Sequence, residues 1–115
     1  MHLPLPIAAL LFALSLWPGQ AVAHTRLLDT QPANGAQLQQ APAIVALEFS
    51  APVEPGFSRV ELFNENTWTS LHLSQRGKRI EARLPPLQPG MHQLRWSVIS
   101  RDGHRQNGKL SFTIR

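Results

Sequence analysis

The chain has 115 residues, 43% of them hydrophobic and 16% charged, with a net charge of +4 and no cysteine. That length leaves no room for a strand–helix barrel or a two-domain enzyme, and so high an apolar fraction excludes a disordered charged tail. The missing cysteines exclude a disulfide scaffold, a thiolate zinc site and a thiol nucleophile.

Residues 1–23 contain no Asp, Glu, Lys or Arg. The apolar run Ile7–Leu14 has the length of a signal-peptide core and is short for a bilayer span. Pro18-Gly19 then breaks a helix, and Ala21-Val22-Ala23 is a small-x-small cleavage pattern. The expectation is an exported protein whose residues 1–23 are a cleaved leader and whose mature domain is 24–115, beginning at His24, with no membrane span after cleavage.

The remainder reads as strands and turns. A less regular early strand is expected over Thr25 to Thr30. Val45, Leu47 and Phe49 alternate with polar or outward positions, as do Val60 and Leu62, then Ile80, Ala82 and Leu84. The same period-two pattern returns at Leu94, Trp96 and Val98, and at Leu110, Phe112 and Ile114. A less regular segment carries Trp68, Leu71 and Leu73. Turn signals separate these runs at Pro32–Gly35, Pro52–Gly56, Asn64–Asn66, Arg76-Gly77, Pro85–Gly90 and Asp102-Gly103. The pattern predicts an all-β fold, a single antiparallel β-sandwich of about seven strands. Phe49, Phe57, Trp96 and Phe112 are assigned to its core. The basic cluster Arg76–Arg79 fits a hairpin turn, and no clustered face for nucleic acid is expected.

Function must come from polar groups that the scaffold does not require. There is no Gly-x-Ser-x-Gly elbow and no glycine-rich loop opening a helix. The acids Glu48, Glu61, Glu65 and Glu81 fall on polar strand faces or a turn, so nothing favours hydrolysis. Four histidines remain after residue 23: His24, His72, His92 and His104. An amino-terminal His24 offers its α-amine and ring Nδ1 to one metal. Asp102 and His104 flank Gly103 in a polar turn and can point into one loop cavity. Three nitrogens and a carboxylate suit the tetragonal preference of Cu(II), and zinc could use the same donors. On these residues alone, a plain hairpin turn and a frayed terminus stay open.

The motifs carry a resemblance. Ala23-His24, Pro32-Ala33-Asn34-Gly35-Ala36, Leu47-Glu48-Phe49-Ser50-Ala51-Pro52-Val53-Glu54, Leu94-Arg95-Trp96-Ser97-Val98-Ile99-Ser100 and Asp102-Gly103-His104 with Gly108 and Phe112 occur in order. This series resembles the CopC-like periplasmic copper-binding proteins. The resemblance implies a Greek-key, immunoglobulin-like sandwich that binds Cu(II) in the periplasm and buffers or delivers it, without being an enzyme. It implies His24, Asp102 and His104 as ligands and an inner-membrane CopD-type transporter as partner.

Some members of that family add a Cu(I) site in a methionine-rich loop. Met91 is the only methionine after residue 23, so a Cu(II)-only protein is expected. Met91 and His92 are assigned to surface or edge packing, and His72 to solvent. Arg105 replaces a proline common after the family's Asp-Gly-His and should weaken copper binding unless it points away or pairs with a carboxylate. Two other readings compete: a metal-free interaction module, separated by stoichiometric Cu(II) binding, and a histidine-brace oxidative enzyme, separated by reductant-driven polysaccharide oxidation.

Overall fold

The structure, a computed structural model, describes residues 25–115; the leader and His24 lie outside the described residues. The chain forms β1 (Leu27–Gln31), β2 (Ala36–Leu38), β3 (Ile44–Phe49), β4 (Arg59–Asn64), β5 (Thr67–Ser70), β6 (Leu73–Arg76), β7 (Arg79–Arg83), β8 (Gly90–Ile99) and β9 (Arg105–Ile114). Among the described residues no helix is long and apolar enough to cross a membrane.

The alternating positions become the core. Val45, Leu47 and Phe49 of β3, Ile80 and Ala82 of β7, and Leu94 and Val98 of β8 are all buried. They belong to two sheets, ordered β1-β3-β7-β6 and β2-β9-β8-β4-β5, whose inner faces share one apolar cluster. Phe49 meets Trp96 edge-on across that cluster, with ring centroids 5.5 Å apart, a favoured aromatic geometry. The β3–β4 and β7–β8 links both pass from one sheet to the other, the crossing that a Greek-key sandwich uses.

Several local expectations change. The segment carrying Trp68, Leu71 and Leu73 is not one strand. It is β5 in one sheet and β6 in the other, because the chain switches sheets at Leu71-His72. That split and the unexpected β2 give nine strands among the described residues where about seven were expected. The sandwich is not wholly antiparallel either, since β2 pairs with β9 in parallel. Phe57 is 60% exposed; it lies in the loop after Gly56, outside any alternating run, so no sheet face carries it inward. Arg76–Arg79 does form the expected hairpin turn, with Arg76 paired to Arg79.

Candidate metal centre

The site grows out of the longest ladder in the fold. β8 and β9 pair from Gly90↔Ile114 to Ile99↔Arg105, and the loop 100–104 closes that end. Ser100 N–H donates to the His104 carbonyl (2.9 Å), and Gly103 N–H donates to the Ser100 carbonyl (2.8 Å). Gly103 has φ 92°, a left-handed conformation that glycine adopts without steric cost. This tight turn brings Asp102 and His104 together. His104 Nδ1 lies 3.0 Å from Asp102 Oδ2, and the His104 amide donates to Asp102 Oδ1 at 3.2 Å.

Ser100 completes the arrangement from below. It is fully buried, and its hydroxyl donates to Asp102 Oδ1. The Ser100 hydroxyl first, then the His104 ring and the His104 amide, hold the Asp102 carboxyl well below the usual carboxylate range. Asp102 is therefore an anion at neutral pH. Its side chain is 25% exposed and that of His104 67%, so the pair opens to solvent on one side.

Sequence reasoning singled out Asp102 and His104 but missed Ser100. The available signal was a Ser two residues before an Asp at a strand end, where short polar side chains bond to one another and to the local backbone.

The chain entering the described residues is tied to this loop. Thr25 is 1% exposed. Arg26 N–H donates to Ser50 Oγ, and Ser50 N–H donates to the Arg26 carbonyl, each at 2.8 Å. Three residues later Val53 bridges Ser100, and Glu54 N–H donates to the Ile99 carbonyl at 2.8 Å. Residues 50–53 thus link the start of the described chain to the Asp102–His104 loop across a span of at most ~11 Å.

The donor chemistry fits a metal. The 3.0 Å between His104 Nδ1 and Asp102 Oδ2 is a hydrogen-bond length, and an imidazole nitrogen and a carboxylate oxygen are donor types that copper and zinc accept. Among the described residues no group of three His, Cys, Asp or Glu side chains gathers at one point.

The other histidines are elsewhere. His72 is exposed in the sheet-switching link. His92 donates from Nε2 to the Gln88 carbonyl at 2.7 Å, and its ring lies 5.9 Å from that of Phe112. Eight strand residues, or about 26 Å, separate His92 from Ser100, and the 64%-exposed Met91 adjoins His92 at that far end. Arg105 points away from the loop, with Nη1 donating to Ser97 Oγ at 2.7 Å.

Residues 27–115 match the CopC domain family. The chain belongs to the CopC family. It is 35% identical over 99 residues to Protein YobA of Escherichia coli K12, covering 81% of this chain and 80% of that one. It is 28% identical over 118 residues to Copper resistance protein C of Xanthomonas campestris pv. juglandis, covering 90% and 89%. The crystal structure of CopC from Methylosinus trichosporium OB3b aligns with a TM-score of 0.70 at 26% identity, over 79% of this chain and 93% of that one. As a CopC-family chain, this is a copper-related β-sandwich protein.

Proposed function

We propose that the protein is exported to the periplasm, loses residues 1–23, and holds one Cu(II) to buffer or deliver it. The His24 amine and imidazole, the His104 imidazole and the Asp102 carboxylate form the site. One observation carries this reading: Asp102 and His104 lie 3.0 Å apart on a loop that residues 50–53 join to the chain just after His24. Membership of the CopC family and similarity to a copper resistance protein support copper as the cargo.

The residues perform simple chemistry. Asp102, already ionised, supplies charge without first losing a proton. His104 donates from Nδ1 to Asp102 in the metal-free protein; as a ligand the neutral ring would offer its unprotonated nitrogen and keep its single N–H on the other, and any proton released on binding would come from amine or imidazole groups that were protonated beforehand. Three nitrogens and an oxygen match Cu(II) better than Cu(I), which prefers thioether or thiolate sulfur. The exposure of His104 leaves the cargo accessible to an acceptor, such as a separate CopD-type membrane chain. Reversible binding suffices for this role, and no turnover is required.

Mass spectrometry of the exported protein with and without Cu(II) tests it. The expected species begins at His24 and gains one copper. A species that retains residues 1–23, or that gains no copper, contradicts the proposal.

A further inference from the structure

The two outward sheet faces differ in charge. In the four strands of the β1-β3-β7-β6 sheet, Asp29, Glu48 and Glu81 equal Arg76, Arg79 and Arg83 in number, and cross-strand register lines up Asp29, Glu48, Arg79 and Arg76 in one row. Arg79 Nε donates to Glu81 at 2.9 Å. The five strands of the other sheet hold Arg59, Arg95, Arg105 and Lys109 against one acid, Glu61. Glu61 is already engaged, accepting from Arg95 Nε at 2.6 Å. This sheet therefore carries three of the protein's four net positive charges.

Register aligns these cations on the outer surface. Arg59 lies opposite Ser97 and Ser97 opposite Asn107, while Glu61 lies opposite Arg95 and Arg95 opposite Lys109. Arg105 reaches Ser97 from the end of β9. Beside them, Phe63 and Trp68 pack at 5.1 Å, and the Arg95 guanidinium stacks 4.3 Å over the Trp68 ring. A groove between Trp68 and Lys109 is lined by Asn34, Gln93 and Ser111.

We propose that this face docks an acidic segment of another protein. Its carboxylates would meet Arg59, Arg105 and Lys109, and its apolar stems would lie against Phe63 and Trp68. Arginine forks and lysine bind carboxylates through charge-assisted hydrogen bonds. The cations are spaced rather than continuous: Arg105 and Lys109 stand about 13 Å apart along β9, and the neutral Glu61–Arg95 pair interrupts them. Separated carboxylates match that pattern better than an unbroken run of phosphates. Phe63 and Trp68 pack against each other with Arg95 over the Trp68 ring, and the exposed Phe57 shares a depression with Arg59, Ser97 and Arg105, a further apolar contact for the segment's stems beside the cations. Arg105 follows His104 directly, so the docked segment would lie beside the candidate metal loop. The face exists without metal, and the inference does not rest on the copper reading.

The test uses the metal-free protein and nuclear magnetic resonance. The probe is a short end-blocked peptide of alternating Glu and Gly, with its Gln–Gly counterpart as control. Only the Glu peptide should shift resonances, confined to β4, β5, β8 and β9, and raising salt from about 0.05 M to about 0.5 M should remove the effect. Arg59→Glu with Lys109→Glu should weaken binding at least ~10-fold, whereas the charge-matched Arg76→Glu with Arg83→Glu on the other sheet should leave it unchanged. Equal weakening by both pairs, or shifts spread over both sheets, would overturn the proposal. So would binding of phosphatidylglycerol vesicles or a DNA oligonucleotide without binding of the peptide.

Discussion

Ser100, Asp102 and His104 alternate along one loop and have unequal duties. His104→Ala removes a nitrogen donor and should weaken Cu(II) binding more than ~100-fold, beyond the ~10–100-fold typical of losing an outer partner. Asp102→Ala should weaken it less, because water can replace a carboxylate oxygen; a competition titration that ranks the two in reverse order would contradict these roles. Ser100→Ala should cost about 10-fold and raise the Asp102 carboxyl toward the usual ~3.9, read from its carboxyl resonance in the metal-free protein. The sign of the pH dependence follows from the lowered Asp102 value. A carboxyl depressed in the folded state adds stability that is full above its unfolded value, ~3.9, and is lost only as pH falls through the folded one. Between about pH 7 and pH 5 the loop should therefore hold. Copper affinity should nevertheless fall steeply in that window, because protons compete with the metal for the imidazole and amine nitrogens. Competition titrations across the window should read that loss of affinity while the near-ultraviolet dichroism of the metal-free protein stays constant.

At the scale of elements, the β8–β9 ladder is what presents the loop, and its tightest point is Trp96 opposite Gly108. A Cβ on Gly108 would lie 2.7 Å from Trp96 Cζ2. Gly108→Ala must displace a ring that is only 8% exposed, and overpacking of this kind costs about 1–3 kcal/mol. Urea unfolding should show the loss, and an unchanged midpoint would mean that the ring gives way freely. These long strands were legible in the sequence because one buried face imposes strict alternation, as at Leu94, Trp96 and Val98. The β5–β6 break was not, since Leu71 and Leu73 keep an apolar pattern through the point where the chain changes sheets. Nor was β2, three residues whose parallel pairing to β9 depends on a partner far along the chain. Phe57 shows the same limit in reverse, an aromatic residue that no alternating run carries inward. That Asp102 and His104 meet could be expected because the two flank one glycine in a tight turn. The part played by Ser100 depends on loop geometry that spacing alone does not convey.

At the scale of the whole molecule, the two ends of the sandwich are chemically distinct. The Asp102–His104 loop closes one end of β8, and Met91, the only methionine after residue 23, stands near the other. Without a cluster of soft ligands, the protein should retain Cu(II) and surrender Cu(I) to a chelator; tight Cu(I) retention in that competition would contradict the nitrogen–oxygen site. Residues 50–53 join the start of the described chain to the Asp102–His104 loop, so Arg26 and that loop are held to one connecting segment. The account turns on whether the chain terminus itself is a ligand. The most direct measurement compares the protein beginning at His24 with one carrying a single extra residue before it, by Cu(II) competition titration and electron paramagnetic resonance. The extra residue turns the α-amine into an amide, so the extended protein should bind Cu(II) far more weakly and show fewer nitrogen donors. The same affinity and spectrum in both proteins would contradict an amino-terminal copper site.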